Sequence, residues 1–148
     1  MVPTAPRPGR RAGSPTVGVM YPGEHARNHP DRPALIMATS GAQLTFAEYE
    51  ANCNRLAHLL RAAGLRRRDH VAMFLENNLR YFELQGAAER AGLYFTCVNS
   101  YLTPEEVAYI VDDCQARAFF TSAANPPPLR TCRLPDRGGR GSAKIFSL

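Results

Sequence analysis

The sequence predicts an α/β fold in which parallel strands alternate with helices. From His70 onward, short apolar runs and amphipathic segments follow one another as strand, helix, strand, helix, strand. The connections between them are only a few residues long, which favours parallel strands joined by right-handed crossovers. A chain of 148 residues, 45% of them hydrophobic, is long enough to form one domain with its own core.

Proline content divides the chain into three parts. Of the 12 prolines, seven lie in residues 1–33 and four in residues 126–135, so that Pro104 is the only one in residues 34–125. We therefore predict a disordered tail over residues 1–16, a partial folded domain over residues 17–125, and a second disordered tail, rich in proline, arginine and glycine, over residues 126–148. Neither helix nor strand is predicted after Asn125.

Positive charge is concentrated in the two predicted tails. The net charge is +5, of which residues 1–16 contribute +3 and residues 126–148 contribute +4, leaving −2 for the part between them. A basic domain face that binds phosphates is therefore not predicted, and neither is a specific nucleic-acid partner. Binding of nucleic acids or other polyanions by the tails is the least favoured of the functions that the sequence allows.

The cysteines and the hydropathy pattern indicate a cytoplasmic protein. The four cysteines form no C-x-x-C pair, and buried thiols in a reducing compartment are preferred to disulfides or a metal site; they are Cys53, Cys97, Cys114 and Cys132. No secretory signal is visible, and no apolar run approaches the ~20 residues of a membrane span. Residues 1–16 lack acidic residues, as mitochondrial presequences do, but their prolines oppose the helix that import needs.

Residues 44–75 predict a helix followed by a buried strand. Thr45 and Glu48 form a capping box, in which each side chain satisfies a free backbone N–H of the other, and Gly64 provides the stop. His70–Leu75 is too short for an independent helix and predicts a strand. Apolar residues recur at spacings of three and four, on one face of the helix: Phe46, Tyr49, Cys53, Leu56, Leu60 and Ala63.

The residues before this helix predict a short helix and a hairpin. A helix that starts near Gly23 must end before Pro30, since a residue preceding proline disfavours the helical region. Ala34–Ala38 predicts a strand, Ser40 and Gly41 a turn, and residues 43–44 the returning strand.

Two more helices and two more strands are predicted after residue 75. Asn77 or Asn78 caps a helix over residues 79–91 that Gly92 ends, with core contacts expected from Leu79, Phe82, Ala87 and Ala91. Residues 93–98 and 117–121 predict strands because they are aromatic and β-branched. Between them, Thr103 and Glu106 form a second capping box, and the following core face comprises Val107, Ile110, Val111 and Cys114.

The order of these segments resembles that of a known enzyme family. LTFAEYEANCNRLAHLLRAAGLRRRDHVAMFLENN and AGLYFTCVNSYLTPEEVAYIVDDCQARAFFTS resemble the opening of the adenylate-forming acyl-CoA synthetases, the AMP-binding ligases, and the resemblance covers Tyr21 to Ala123. Within that family, the sequence is most similar to fatty-acyl-CoA ligases of actinobacterial type. The resemblance implies that the full-length protein binds ATP, Mg²⁺, a carboxylic acid and CoA, and makes an acyl-adenylate and then a thioester.

Three positions depart from the family pattern. Arg68 stands where glycine is common, and Leu79 and Cys97 stand where proline is common. Arg68 is expected to strain its turn if the glycine is there for a positive φ. Residues 66–68 are all arginine and could clamp a nucleotide phosphate, but a solvated turn that complements a helix C-terminus is preferred.

No catalytic, cofactor-binding or metal-binding residue is predicted in this chain. The family's phosphate loop, Mg²⁺-binding segment, ribose-binding aspartate and lid lysine have no match here. Gly138–Lys144 has glycines, a serine and a lysine but follows no predicted strand, so a flexible tail is preferred. His25 and His29 lie one helical turn apart without a third ligand, and are expected to be solvated surface residues.

Two interpretations of the chain remain open. The first is a ligase fragment that is inactive by itself, with loss of the family's reading frame after codon 125 as one hypothesis for its composition. The second is a non-enzymatic interaction module derived from the ligase N-terminal domain, whose incomplete sheet can self-associate. Acyl chain length and oligomeric state do not follow from the sequence.

Overall fold

The computed structural model describes residues 21–124 and 144–147, which form ten helices and strands. In chain order these are α1 (Pro22–Asn28), β1 (Pro33–Ile36), β2 (Gln43–Thr45), α2 (Phe46–Ala62), β3 (His70–Phe74), α3 (Leu79–Ala91), β4 (Tyr94–Cys97), α4 (Pro104–Asp113), β5 (Ala118–Thr121) and β6 (Lys144–Ser147). None of these helices is both long enough and apolar enough to cross a membrane. The predicted tail over residues 1–16 lies outside the described residues.

The main sheet is parallel, as the sequence predicts. Its strand order is β4-β3-β5-β6, and every neighbouring pair runs in the same direction. Val71 of the central strand β3 pairs with Phe95 on one side and with Ala118 on the other. The predicted hairpin is also present, as the separate antiparallel pair β1-β2. The chain is therefore an α/β unit with a small hairpin attached.

Helices cover both faces of the parallel sheet. Successive residues of β3 point to opposite faces, so that Val71 and Met73 belong to one core cluster and Ala72 and Phe74 to another. The first cluster contains residues of α2 and α3, including Leu60 and Leu84. The second contains residues of α4, among them the predicted core residues Val107 and Val111. The result is three layers, with α2 and α3 on one side of the sheet and α4 on the other.

The prediction that no strand follows Asn125 is wrong at β6. Lys144–Ser147 extends the sheet beside β5, the Lys144 N–H donates to the Arg117 carbonyl over 3.0 Å, and the ring of Phe146 stacks on Phe120 at 4.9 Å. Four residues are too few to show a hydrophobic period in the sequence. The strand forms because it pairs with β5, which is far away in the chain. The rest of the predicted tail, residues 125–143 and 148, is outside the described residues.

The capping signals of α2 and α4 are confirmed. In α2 the Thr45 Oγ1 accepts from the Glu48 N–H at 3.2 Å, and the Thr45 N–H donates to Glu48 at 2.9 Å. The same reciprocal pair joins Thr103 and Glu106 at the start of α4. Gly64 has φ +87°, as its predicted role at the end of α2 requires.

The core face of α3 differs from the prediction. Phe82 is 40% exposed, whereas Glu83 is only 2% exposed. Glu83 is the residue that faces α2, where the Asn52 side chain donates to it over 2.5 Å, and Arg80 pairs with it at 2.9 Å. These partners stabilise a carboxylate that would be costly to bury alone. Asn78, one of the two candidate caps, accepts from the Tyr81 N–H at 3.0 Å.

Burial of the cysteines is only partly as expected. Cys53 is fully buried in α2 and Cys114 is half-buried, but Cys97 is exposed. Cys97 ends β4, which pairs only with β3 among the described strands. An edge position of this kind cannot be read from residue type. Cys132 is outside the described residues.

Helices α2 and α3 are in close contact at Gly86. A Cβ added there would lie 2.7 Å from both Cys53 Sγ and Tyr49 Oη, closer than side chains tolerate. The Tyr49 hydroxyl also donates to the Phe82 carbonyl at 3.2 Å. Next to this contact, Arg90 of α3 forms an ion pair with Glu50 of α2. The guanidinium of Arg90 also stacks over the ring of Tyr21 at 5.4 Å, which ties the start of α1 to the same junction.

Replacing Gly86 with alanine is expected to destabilise the chain. Alanine is favoured over glycine inside an exposed helix by roughly 0.5–1 kcal/mol, but overpacking of this contact costs about 1–3 kcal/mol, so the steric term exceeds the propensity term. Urea unfolding followed by circular dichroism measures the difference. The double variant Gly86→Ala, Tyr49→Phe removes the Oη from the contact and should lose less than the sum of the two single variants. An additive pair would contradict the close contact.

Replacing Arg68 with glycine is expected to stabilise the chain. Arg68 has φ +73°, a left-handed conformation that costs a non-glycine residue roughly 1–2 kcal/mol, which exceeds the roughly 0.5–1 kcal/mol of unfolded-state entropy that glycine adds. The neighbouring Arg67 is a control without a positive φ, where glycine adds unfolded-state entropy and removes a side chain that lies against Gly92, so it should destabilise by about 0.5–1 kcal/mol or more. Urea midpoints of the two variants should therefore move in opposite directions. Equal losses at both positions would show that the backbone of Arg68 is not strained.

Candidate functional site

The candidate site lies at the carboxyl edge of the parallel sheet. From β3 the chain crosses through α3 to β4 on one side, and then through α4 to β5 on the other side of β3. The strand order therefore reverses between β3 and β5. In open α/β sheets, ligands bind outside the carboxyl ends of the strands at such a reversal. Glu76 follows β3 at this place, and Ser122 follows β5.

Glu76 joins the two loops at the strand reversal. Its carboxylate accepts hydrogen bonds from the Ser122 hydroxyl and, at 3.0 Å, from the Asn78 side-chain amide. Ser122 and the preceding Thr121 are both buried. Because Asn78 is also the cap of α3, the same group of residues holds the carboxyl end of β3, the start of α3 and the end of β5 together. These polar groups thus stabilise the edge of the sheet.

A cavity of about 340 Å³ opens beside these loops, at the carboxyl ends of β3 and β4. Its lining consists of Leu75, Asn77, Tyr81, Cys97, Val98, Asn99, Ser100 and Tyr101. The Asn99 side chain accepts from the Tyr101 N–H at 3.0 Å, which fixes the loop after β4. Burial, followed by a hydrogen bond to Cys97, raises the pKa of the Tyr81 hydroxyl, so that it stays protonated at neutral pH.

The chemistry available in this cavity is that of neutral hydrogen-bonding groups. Amides, hydroxyls and one thiol can orient a polar or aromatic group. No arginine or lysine belongs to the lining, and a triphosphate undergoing transfer requires cations to offset its charge. The cavity as described can position a small polar group but does not supply the groups for phosphoryl chemistry.

The buried thiol of α2 is not part of this site. Cys53 lies at the α2–α3 junction, where burial raises the pKa of its thiol and also that of the Tyr49 hydroxyl. A cysteine reacts as a thiolate, so a raised pKa makes Cys53 a poor nucleophile at neutral pH. Its role is packing against α3.

The candidate ligand residues in the sequence lie apart from the cavity. The ring of His25 stacks on Phe46 at 5.0 Å, and the described residues contain no group of three or more potential metal ligands. Residues 66–68 are exposed in the turn after α2, as predicted. Lys144 lies in β6, and its Nζ donates to the Ala63 carbonyl at the end of α2 over 2.7 Å. The glycines before Lys144 are outside the described residues.

Sequence reasoning missed the connection between Glu76 and Ser122. Glu76 lies in the first segment that resembles the family, but its partner Ser122 is 46 positions away in the chain. Only the parallel pairing of β3 with β5 brings the two loops together. No local signal at Ser122 indicates this contact.

Known proteins of one enzyme family share this sequence pattern and this fold. A family model described as AMP-binding enzyme matches residues 23–143, which extends past Ala123, where the resemblance read from the sequence ends. Among solved structures, the N-terminal domain of FACL13 from Mycobacterium tuberculosis is similar with a TM-score of 0.74 and 22% identity. That similarity covers 86% of this chain and 32% of that one, and at this identity it shows the fold alone.

Two curated proteins illustrate the range of relatives. The fatty acid--[acyl-carrier-protein] ligase ScoC of Streptomyces coeruleorubidus is 34% identical over 96 residues, which are 65% of this chain and 18% of that protein. The mitochondrial medium-chain acyl-CoA ligase ACSF2 of Danio rerio is 32% identical over 128 residues, covering 73% of this chain and 21% of that protein. The chain thus spans about a fifth of the length of these relatives. With its parallel sheet and the family match over most of its length, the chain belongs to the AMP-binding enzyme family, of which it represents a partial, N-terminal segment.

Proposed function

We propose that this chain is the scaffold segment of an ATP-dependent fatty-acid–CoA ligase and has no ligase activity by itself. In the proposed full-length reaction, a carboxylate attacks the α-phosphorus of Mg²⁺-bound ATP, giving an acyl-adenylate and pyrophosphate. The thiol of CoA then displaces AMP and forms the thioester. We further propose that the protein acts in the cytoplasm.

The proposal of a scaffold rests on one observation: the polar side chains at the carboxyl edge of the sheet form hydrogen bonds with one another. The carboxylate of Glu76 accepts from Ser122 and Asn78, and the neighbouring cavity has a neutral lining. Acyl transfer from ATP requires a cation-rich, preorganised site for a charge that develops on phosphate oxygens. The described residues favour a role in holding strands and helices in place, while phosphoryl chemistry requires residues of another segment.

The acid and the thiol are proposed from the relatives. ScoC joins a fatty acid to an acyl carrier protein, whereas ACSF2 is a medium-chain acyl-CoA ligase. One name specifies a fatty acid and the other a medium-chain acyl group, which supports a fatty acid as the substrate class. CoA is proposed as the acceptor, in agreement with the second of these relatives.

A second candidate function is that of a non-enzymatic interaction module. The two outer strands of the described sheet, β4 and β6, each have a neighbour on one side only. Unpaired strand edges bind further strands through backbone hydrogen bonds. A second copy of the chain, or a longer relative, is the partner that this alternative proposes.

Pyrophosphate exchange distinguishes a scaffold from an enzyme. The purified chain, supplied with Mg²⁺, ATP, a medium- or long-chain fatty acid and labelled pyrophosphate, is expected to form no labelled ATP above the blank. A full-length acyl-CoA ligase assayed in parallel is the positive control. Cooperative urea unfolding of the same preparation must show that the chain is folded. Exchange that depends on the fatty acid would contradict the scaffold proposal.

Sedimentation velocity tests the interaction module. If the sheet edges pair specifically, a discrete dimer should appear as the concentration rises, with a defined dissociation constant. A monomer across the concentration range, or a broad distribution of aggregates, would count against this alternative. The measurement needs no assumption about catalysis, so that its outcome is independent of the exchange assay.

A further inference from the structure

Cations collect at the corner of the molecule where α2 and α3 end. Residues 55–68 contain five arginines and no acidic residue, although residues 17–125 as a whole carry a net charge of −2. Three of these arginines form the turn at residues 66–68, and all three are exposed. Lys144 of β6 reaches the same corner, where its Nζ donates to the Ala63 carbonyl over 2.7 Å. We call this cluster the basic corner; it consists of Arg61, Arg66, Arg67, Arg68 and Lys144.

Backbone and side-chain contacts hold these cations beside the last turns of the two helices. The Arg61 guanidinium donates to the Arg90 carbonyl over 3.3 Å, and the Arg68 N–H donates to the Gly92 carbonyl over 2.8 Å. The Arg67 side chain lies against Gly92. Because the strands of the described sheet are parallel and β3 begins directly after this turn, the basic corner lies at the amino edge of the sheet, at the opposite end from the candidate site.

The positive charge of the basic corner exceeds what its surroundings neutralise. Asp69, the next residue in the chain, is engaged, since its carboxylate accepts from the Arg66 N–H at 2.7 Å and pairs with Arg117 at 3.7 Å. A helix C-terminus carries about half a negative charge, so the two helix ends and Glu89 in the last turn of α3 leave about three of the five positive charges. The guanidiniums of residues 66–68 form no hydrogen bond or ion pair with any residue that the structure describes. They are therefore available to a partner.

An exposed apolar side chain lies beside these cations. Leu59, one turn before the end of α2, is 63% exposed. It shares a helix face with Ala63, four residues later, whose carbonyl accepts from Lys144, and with the exposed Arg55, four residues earlier. Cations around a protruding apolar side chain match the surface of an anionic bilayer, in which charged headgroups cover apolar acyl chains. An acidic protein or a nucleic acid offers the charge without the fluid apolar layer.

We propose that the basic corner binds an anionic phospholipid membrane, with its cations at the headgroups and Leu59 in the outer part of the acyl layer. Each cation near an anionic bilayer strengthens binding about fivefold, so that a few cations and one apolar side chain suffice for reversible binding. Residues 1–20, 125–143 and 148, which the structure does not describe, contain a single acidic residue, Asp136, so they add little negative charge that could compete. Fatty acids dissolve in bilayers, so this contact would bring the proposed ligase to its substrate. Membrane binding itself does not depend on ligase activity.

Co-sedimentation of the full chain with vesicles tests the proposal. Vesicles of phosphatidylcholine and phosphatidylserine should bind the chain, pure phosphatidylcholine should not, and added salt should release it. The double variant Arg66→Gln, Arg68→Gln removes two cations that have no partner among the described residues, and should weaken binding about twentyfold. Urea unfolding followed by circular dichroism shows whether each variant is folded.

A matched variant separates the basic corner from the net charge of the chain. Arg27→Gln, Arg32→Gln also removes two exposed arginines, but near the start of α2, where His25 stacks on Phe46 and the Phe46 N–H donates to the Arg32 carbonyl. Helix α2 is roughly 25 Å long, more than two Debye lengths at about 0.1 M salt, so this variant should weaken binding by less than about threefold. Equal loss in the two double variants, or loss in neither, would overturn the proposal, because net charge or the basic tails would then account for binding.

Fluorescence distinguishes a membrane from other polyanions. The chain contains no tryptophan, so Leu59→Trp introduces a single one. With anionic vesicles its emission should shift to the blue and be quenched by brominated acyl chains. Tyr109→Trp is the control, since Tyr109 is also exposed but belongs to α4 on the other face of the sheet, and its emission should not change. An emission from position 59 that stays that of water while the chain is bound would indicate a purely ionic contact, of the kind that a nucleic acid or an acidic protein also makes, and would overturn membrane docking.

Discussion

The close approach of α3 to α2 at Gly86 is the contact on which the rest of the structure depends. Without a side chain at Gly86, Cys53 and Tyr49 of α2 can reach the α3 backbone. That distance lets Leu60 and Leu84 enter the same core cluster beneath the two helices, against β3. The ion pair between Glu50 and Arg90 also requires the helices to lie this near, and Arg90 then holds Tyr21 at the start of α1. One small residue thus sets the packing of the layer that covers one face of the sheet.

The parts of the fold that were predictable from sequence are those determined by neighbouring residues. The capping box of Thr45 and Glu48 and the left-handed Gly92 depend on contacts within a few positions, so that the ends of α2 and α3 could be predicted closely. Parallel pairing followed from the alternation of strands and helices. The strain at Arg68 was also foreseeable, because glycine is common there in the family that the sequence resembles.

The parts that escaped prediction are set by distant residues. Phe82 is exposed and Glu83 buried because Asn52, in another helix, offers Glu83 a partner. β6 exists because β5 provides an edge, and Cys97 is exposed because β4 forms the opposite edge. The candidate site could not be predicted for the same reason, since Glu76 and Ser122 come together only when β3 pairs with β5. Hydrophobic period and residue type carry no information about these contacts.

The same geometry links the fold to the proposed role. The reversal of strand order between β3 and β5 is the place where α/β folds bind ligands, yet Glu76 is used there to join loops, and the adjoining cavity is neutral. In the proposed role, this segment supports an active site whose charged groups come from other segments of the full-length protein. The most direct measurement of that claim is equilibrium binding of Mg²⁺-ATP to the folded chain by calorimetry. We expect no saturable binding up to millimolar nucleotide, and saturable one-to-one binding would contradict the proposed scaffold role.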